Sequence, residues 1–254
     1  MNLSTFRNNI QTNGYVVLEN LCDEKLIAQI LAVARRKAAA TRTALGERDI
    51  GIGSAAGFNE IVQRSPGRWD VPISPDEFGV VDNKMPWWDH VTAILGDDAE
   101  HSFSGVVSSD PGSPAQRWHT DSPHLNSEHR HAHAVNVLIA LQDISLEMGP
   151  TEVAAGSHQL TNHLANPSLV ADELIYQDVD TPPEQLVKNS ELPVPERFKT
   201  SMHAGTCLIF DDRLLHRGLA NHSAEVRHVA YFSYRQRGYS ENTHFESSRS
   251  IHER

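Results

Sequence analysis

The sequence predicts an α+β chain, mainly β, whose core is a β-sandwich or barrel. Helical patterns occupy the front of the chain, and short β-type runs separated by turn-rich loops follow from about residue 102. A length of 254 residues favours one large domain, 1–254, over two small ones. Within it we expect a helical and loop part over about 1–100, a β core over about 101–237 and a polar tail over about 238–254.

The front of the chain carries clear start and stop signals. Gly14–Leu18 is a β-branched run opened by a turn glycine and predicts a strand. Asp23 is a favourable N-cap, and apolar residues recur behind it at helical spacing to about Ala40. Glycine and proline punctuate 46–78 while apolar residues persist, which indicates loops with short strands. Pro86–Leu95 predicts a helix with proline in its first turn.

Five short runs in the second part predict strands. They are Phe103–Ser108, Ala134–Leu141, Leu174–Asp178, Thr206–Phe210 and Val229–Tyr234. No apolar run approaches 18 residues, so the sequence predicts no membrane-spanning helix.

Charge and cysteine usage exclude several classes of function. The 33 acidic residues outnumber the 22 basic ones, and the net charge of −11 makes nucleic acid and anionic membranes poor partners. Cys22 and Cys207 are far apart and form no CxxC, which predicts neither a disulfide framework nor a thiolate zinc site. The first residues lack the pattern of a signal peptide. We therefore expect a cytoplasmic protein that acts on a small molecule; its oligomeric state stays open.

One short segment combines residues that bind metals. His119 and Asp121 are two residues apart, so their side chains leave the same face of an extended strand. A third ligand is available at His216, just after an apolar strand and a turn, and Arg227 follows eleven residues later. Two histidines and one carboxylate on one face of an iron leave three open positions. These positions suit a bidentate α-keto acid plus O₂, and an arginine can hold the distal carboxylate in a forked salt bridge.

The spacing HxD, distant His and then Arg resembles the phytanoyl-CoA dioxygenase branch of the Fe(II)/2-oxoglutarate oxygenases. The segment Gly149–His158 and the opening run Asn13–Leu18 before an amphipathic helix are also similar to that branch. The resemblance covers about residues 10–236. It implies a double-stranded β-helix (jelly-roll, cupin-like) core with helices packed on one side. It also implies Fe(II) as the metal, with 2-oxoglutarate and O₂ as cosubstrates.

By this resemblance, His119, Asp121 and His216 match the iron ligands. Arg227 matches the residue that binds the C5 carboxylate of 2-oxoglutarate. Halogenating relatives replace the carboxylate ligand by Gly or Ala, so Asp121 favours a hydroxylase or another oxidative reaction.

The resemblance also suggests further contacts to the cosubstrate. Gln116 matches a position that often forms a hydrogen bond to it, and Thr151 matches a hydroxyl that shares the C5 carboxylate with the arginine. The chain departs from some relatives at Gly218, where they carry serine two residues after the distal histidine. A hydroxyl contact must then come from elsewhere, and Thr151 is the expected source.

Three residues are candidates for binding the primary substrate. Arg68 and Trp69 lie in the 46–78 segment, which in similar enzymes commonly covers the mouth of the site. Arg68 could meet an anionic substrate group there or, as the commoner outcome, pair with an acid such as Asp70. Asn136, if it points inward, could form a hydrogen bond to cosubstrate or substrate.

Two functions remain open on sequence alone. The first is an Fe(II)/2-oxoglutarate dioxygenase that hydroxylates or otherwise oxidises an unactivated C–H of a small or medium-sized metabolite, expected to be a natural product. The second is a cupin-like, non-oxidative metal protein (an isomerase, a hydrolase or a binding module) that uses the same His/Asp/His site. Arg227 favours the first, since a hydrolase does not need it. A second metal site at His129, His131 and His133 is conceivable, although solvated loop residues are the commoner outcome.

Overall fold

Two antiparallel sheets form the framework of the protein. The computed structural model describes residues 1–122, 131–159, 182, 196–239 and 247–253. The strands are β1 (Tyr15–Leu18), β2 (Val62–Ser65), β3 (Arg68–Pro72), β4 (Glu100–Ser109), β5 (Ala134–Ala140), β6 (Thr151–Ala154), β7 (Arg197–Lys199), β8 (Cys207–Asp211), β9 (His216–Gly218) and β10 (Arg227–Arg235). The major sheet has the order β1-β8-β5-β10-β4-β3-β2, and the minor sheet has the order β7-β6-β9. All strand pairs in both sheets are antiparallel.

Four helices precede β4. They are α1 (Leu3–Asn13), α2 (Glu24–Leu45), α3 (Pro75–Phe78) and α4 (Trp88–Leu95). The predicted N-cap is present, because the Asp23 carboxylate accepts a hydrogen bond of 2.7 Å from the Leu26 amide. The helix continues past Ala40 to Leu45, because Thr41 and Leu45 extend its buried stripe by another turn.

The helices pack on one side of the major sheet, as the resemblance implied. The larger apolar cluster joins Ile27 and Ile30 of α2 to Val137, Ile139 and Phe232, which lie on the outer face of the sheet. A second apolar cluster, between the two sheets, includes Val153 of β6, Leu208 and Phe210 of β8 and Val229 of β10. Residues on the inner face of the major sheet therefore point toward the minor sheet.

The first hundred residues contribute three strands to the major sheet. β1 pairs with β8 and places Tyr15 opposite Phe210, while β2 and β3 extend the other edge beyond β4. The part expected to hold helices and loops is thus also part of the β core. The predicted strand Leu174–Asp178 lies outside the described residues.

The two cysteines meet in space despite their separation in sequence. Their Sγ atoms are 3.6 Å apart in the buried core, and both are free thiols. Their proximity was not expected, because it depends on the pairing of β1 with β8.

The described end of the polar tail, residues 247–253, packs beside β2. Ile251 is buried there, and the Arg249 guanidinium stacks over the Phe58 ring at 4.8 Å. Among the helices in the described ranges, none is long and apolar enough to cross a membrane.

Candidate metal centre

Backbone pairing places the two candidate histidine ligands side by side. The His119 amide donates to the His216 carbonyl at 3.0 Å, and the His216 amide donates to the His119 carbonyl at 2.9 Å. This bridge attaches the first residue of the HxD motif to β9. The two imidazole rings then lie with their centroids 4.4 Å apart.

The carboxylate of Asp121 completes the group. The Asp121 amide donates to the Asp212 carbonyl at 2.9 Å, which fixes the residue beside the turn that leads into β9. Its Oδ2 lies 3.6 Å from His216 Nε2, and one ligand atom from each of His119, Asp121 and His216 falls within 4.8 Å of the others. The structure therefore brings together the three ligands that the sequence suggested.

Both imidazoles are oriented by carbonyl groups of their own segments. His119 Nδ1 lies 2.9 Å from the Arg117 carbonyl, and His216 Nδ1 lies 2.9 Å from the Leu214 carbonyl. Since a carbonyl only accepts, each Nδ1 carries a proton, and Nε2 is the ring nitrogen that is left to bind a metal. Burial, reinforced by the neighbouring His216, lowers the pKa of His119 to about 4. This ring is therefore neutral at physiological pH, the form that binds metals.

Asn136 supports the carboxylate ligand. The side chain points inward, and its amide donates to Asp121 Oδ2 at 2.6 Å, so it contacts a candidate metal ligand. Its predicted contact with cosubstrate or substrate stays a prediction. The Ser233 hydroxyl in turn donates to Asn136 Oδ1 from the adjacent strand β10. Neither contact is visible in the sequence. The first depends on where the segment that carries Asp121 lies relative to β5, and the second depends on the register of β5 against β10.

Arg227, the first residue of β10, is a buried cation. Its side chain is 3 % exposed, and Nη2 donates to Ser109 Oγ at 2.9 Å, while Nε and Nη1 have no partner among the described residues. Burial lowers its pKa to about 10. Leaving two guanidinium nitrogens unpaired inside a protein is costly, so the arrangement calls for an anion. Ser109 was missed from sequence, since a serine in a strand carries no signal of its own.

Gln116 and Thr151 lie on either side of Gly218. The backbone amide of Gln116 donates to the Gly218 carbonyl at 2.8 Å, and the backbone amide of Gly218 donates to Gln116 Oε1 at 3.0 Å. Thr151 is buried and pairs with Gly218 in the register of β6 against β9. Both residues therefore lie next to the position two residues after the ligand His216. Their predicted contacts to the cosubstrate stay predictions.

The expectation that Arg68 lies at the exposed mouth of the site is wrong. It is fully buried, and it donates to Ser109 Oγ at 2.9 Å and to the carbonyls of Gly218 and Leu219 at 3.1 and 2.8 Å. The alternative pairing with Asp70 is also wrong, because Arg64 binds that carboxylate at 2.9 Å. The inward face of β3 places Arg68 between the two sheets.

Trp69 faces the opposite way from Arg68, and its predicted contact with substrate stays a prediction. Successive residues of a strand point to opposite faces, so a neighbour of the inward Arg68 must point outward. The Trp69 indole donates to Asp110 Oδ2 at 2.8 Å, and the Arg42 guanidinium of α2 lies over its ring at 5.2 Å. Trp69 therefore packs under helix α2.

A polar group that was not predicted from the sequence lies on the inner face of the major sheet, the face that also carries Arg68. The Tyr231 hydroxyl donates to Asp70 Oδ1 at 2.8 Å, and Arg64 pairs with the other oxygen of that carboxylate. Burial and the nearby Asp70 raise the pKa of Tyr231. Gly105 makes room for the phenol, since a Cβ there would lie 2.6 Å from its oxygen.

The histidine cluster ahead of β5 shows no metal group in the part that the structure describes. His131 is exposed, and the His133 ring stacks on Tyr239 at 4.0 Å between centroids. His129 lies outside the described residues. Over those described ranges, the one group of three potential ligands is the His/Asp/His set above.

Two packed sheets carry the His/Asp/His centre and the buried Arg227, whose Nε and Nη1 have no partner among the described residues. These features define a class of jelly-roll protein built to hold a metal and an anionic ligand. The chain belongs to the phytanoyl-CoA dioxygenase (PhyH) family, whose model matches residues 10–229. This confirms the resemblance that the motif spacing suggested. Fe(II), 2-oxoglutarate and O₂ are the metal and cosubstrates of that family.

Solved structures with the same fold are distant in sequence. AviO1 from Streptomyces viridochromogenes Tue57 is 17% identical, with 95% of this chain and 98% of that chain covered and a TM-score of 0.64. The epimerase SnoN, in complex with Fe3+, alpha ketoglutarate and nogalamycin RO, is 20% identical over 92% of this chain and 83% of its own, with a TM-score of 0.62. The carbocyclase SnoK is 17% identical over 92% and 84%, with a TM-score of 0.64. These matches confirm the jelly-roll fold.

Proposed function

We propose that the protein is an Fe(II)- and 2-oxoglutarate-dependent dioxygenase. It would oxidise an unactivated C–H of a small or medium-sized metabolite, with release of succinate and CO₂. The observation that carries this proposal is the buried Arg227, whose Nε and Nη1 have no partner among the residues that the structure describes, in a fold that also presents the His/Asp/His group. A non-oxidative metal protein of the same fold has no use for that unpaired cation.

The residues present fit the iron and the keto acid. His119 and His216 offer their Nε2 atoms, Asp121 offers a carboxylate, and Arg227 offers to a carboxylate the two nitrogens that have no partner among the described residues. When bound, Fe(II) with 2-oxoglutarate supplies the activation of O₂ and the oxidising power.

The protein supplies position and a dry environment. Asn136 keeps the Asp121 carboxylate in one orientation, and the Phe210 ring packs 4.7 Å from the His216 ring, which shields that ligand from water. Arg227 would hold the distal carboxylate of the keto acid and so limit the orientations that the cosubstrate can take. The target C–H is then positioned by the inner face of the sheet.

A natural product is the proposed substrate class. SnoN and SnoK act in nogalamycin biosynthesis and share this fold, the first as an epimerase and the second as a carbocyclase. The net charge of −11 disfavours a coenzyme A ester, whose phosphates need a basic surface. Hydroxylation is the proposed outcome; epimerisation and ring closure use the same centre and are distinguished by the product formed.

The test adds Fe(II) and 2-oxoglutarate to the protein without O₂. We expect a weak visible band near about 500 nm from the bidentate keto acid, and succinate once O₂ is admitted. A variant with the exposed His131 replaced, His131→Ala, serves as the control and should behave like the parent. Absence of both the band and succinate would instead favour the non-oxidative cupin-like function.

A further inference from the structure

Two buried arginines flank one serine in a straight row across three strands. In the register, Ser109 of β4 stands opposite Arg227 of β10 on one side and opposite Arg68 of β3 on the other. Arg227 Nη2 and Arg68 Nε both donate to Ser109 Oγ at 2.9 Å. Both side chains are at least 97 % buried, and within the described ranges neither guanidinium has a carboxylate partner.

This row determines what the serine hydroxyl can do. A hydroxyl oxygen accepts through two lone pairs and donates one proton. Because two cationic donors occupy the lone pairs of Ser109, its proton must point away from both and is available to an acceptor. An anion that accepts hydrogen bonds from Nε and Nη1 of Arg227 would lie beside the same hydroxyl.

The glycine at position 218 makes room for Arg68. A Cβ on Gly218 would lie 2.9 Å from Cζ and Nη1 of Arg68 and 2.8 Å from Gln116 Oε1. Any larger residue would therefore displace the guanidinium or the glutamine amide. The chain has glycine and not serine two residues after the distal histidine His216. Arg68 fills the space beside this glycine, and a different serine, Ser109, provides the hydroxyl.

We infer that Arg68 is a positioning residue for the distal carboxylate of the dicarboxylate cosubstrate, and that it acts through Ser109. Arg68 directs the Ser109 hydroxyl toward the carboxylate that Arg227 binds, and it adds a second buried positive charge beside that carboxylate. The inference rests on the proposed function, because it assumes that the anion is the C5 carboxylate of 2-oxoglutarate. It predicts that the site selects a 2-oxo dicarboxylate over a 2-oxo monocarboxylate through three residues, Arg227, Ser109 and Arg68.

The test compares two keto acids of equal chain length. 2-Oxoglutarate carries the distal carboxylate, and 2-oxopentanoate has a methyl group in its place. Their Kd values are measured anaerobically with Fe(II) by titration of the visible band. For Arg68→Met we expect 2-oxoglutarate to bind about tenfold or more weakly, since a hydrogen-bonded charge is lost from the site, while 2-oxopentanoate binds as before. Ser109→Ala should move the same ratio in the same direction.

Two further variants separate position from mere support of the fold. Arg68→Lys keeps the charge and should retain part of the preference that Arg68→Met loses. Arg42→Met removes an arginine from the outer face and should leave the ratio of the two Kd values unchanged. Thermal stabilisation by glutarate without metal gives a second readout, which should fall in Arg68→Met and Ser109→Ala but not in Arg42→Met.

The outcomes are distinguishable from failure of the proposed function. If the parent protein binds no 2-oxoglutarate, the proposed function fails, and this inference fails with it. If the parent binds it and the ratio of Kd values stays at the parent value in Arg68→Met and Ser109→Ala, the inference alone is overturned. Equal weakening for both keto acids also overturns it, since that indicates a structural role. Should Arg68→Met not fold, Arg68→Lys and Ser109→Ala decide the question.

Discussion

His119 and His216 are oriented by hydrogen bonds within the chain. Each imidazole donates its Nδ1 proton to a carbonyl two residues earlier in the chain, and the backbones of the two residues are joined by a pair of hydrogen bonds. Both Nε2 atoms are therefore aimed by groups that cannot rearrange without breaking the β9 pairing. A centre of this kind loses little orientational freedom when a metal enters.

Removal of one of these imidazoles should eliminate the centre. For His216→Ala we expect a stoichiometric metal content to fall to background and succinate formation to stop, since two ligands hold a divalent ion poorly. Metal analysis after dialysis and a succinate assay measure both effects. His203→Ala, at an exposed histidine, is the control; a His216→Ala protein that retains metal and activity would remove this residue from the ligand set.

Asn136 should tune the metal affinity without being a ligand. Asn136→Ala removes the 2.6 Å hydrogen bond to Asp121 Oδ2, so the carboxylate loses its fixed orientation. Losses of about 10–100-fold in metal affinity are typical for such supporting residues. The Kd for Mn(II), measured by competition, gives the readout. Gln142→Ala is the control, because the Gln142 side-chain amide donates to the Val226 carbonyl. This substitution should leave the Kd for Mn(II) unchanged.

At the scale of residues, the sequence predicted ligands better than supporting contacts. His119, Asp121 and His216 were recognisable because their chemistry depends on residue type and spacing. Ser109 and the true partner of Asn136 could not be predicted, since each is defined by which strand lies next to which. Arg68 shows the same limit, because its face on β3 decided its partners.

At the scale of elements, helix α2 depends on its first turn. Asp23→Ala removes the side-chain acceptor for the Leu26 amide and should lower the free energy of unfolding by about 1 kcal/mol. Urea unfolding measures the change. Asp49→Ala, at an exposed aspartate beyond the helix, is the matched control. Equal effects of the two substitutions would show that the cap contributes nothing specific.

The elements that were predicted have either a long apolar pattern or a start signal, such as the glycine before β1 and the proline before α4. The strands β4, β5, β8 and β10 and the helix α2 each carry enough consecutive signal to be recognised. β6, β7 and β9 have only four, three and three residues, too few for a periodicity. Helix α1 was missed because it buries only Phe6 and Ile10.

At the scale of the whole molecule, buried histidines make the fold sensitive to acid. Burial, aided by Arg35, lowers the pKa of His228 to about 4, and its Nδ1 lies 2.9 Å from the Ser108 hydroxyl on the outer face. The unfolded chain takes up this proton near pH 6.5, whereas the folded protein does so only near pH 4. The stabilising contribution is therefore complete above pH 6.5 and is lost as the pH falls toward 4.

Substitution of His228 should flatten this dependence. Between pH 7 and pH 4 we expect His228→Gln to lose less free energy of unfolding than the parent, by up to about 3 kcal/mol. Urea unfolding at a series of pH values measures it. His203→Gln, at an exposed position, should follow the parent curve. Parallel curves for His228→Gln and the parent would refute the assignment.

The position of β10 has a consequence for how the chain is made. β10 is the last strand that the structure describes, yet it lies in the middle of the major sheet, between β5 and β4. Until residues 227–235 have been synthesised, the sheet exists at most as two separate three-stranded pieces with unpaired inner edges. Exposed edges of this kind attract other chains, and pairings between distant segments form slowly. A ribosome that stalls before Arg227 would therefore release an aggregation-prone product, and the nascent chain is a natural client for chaperones.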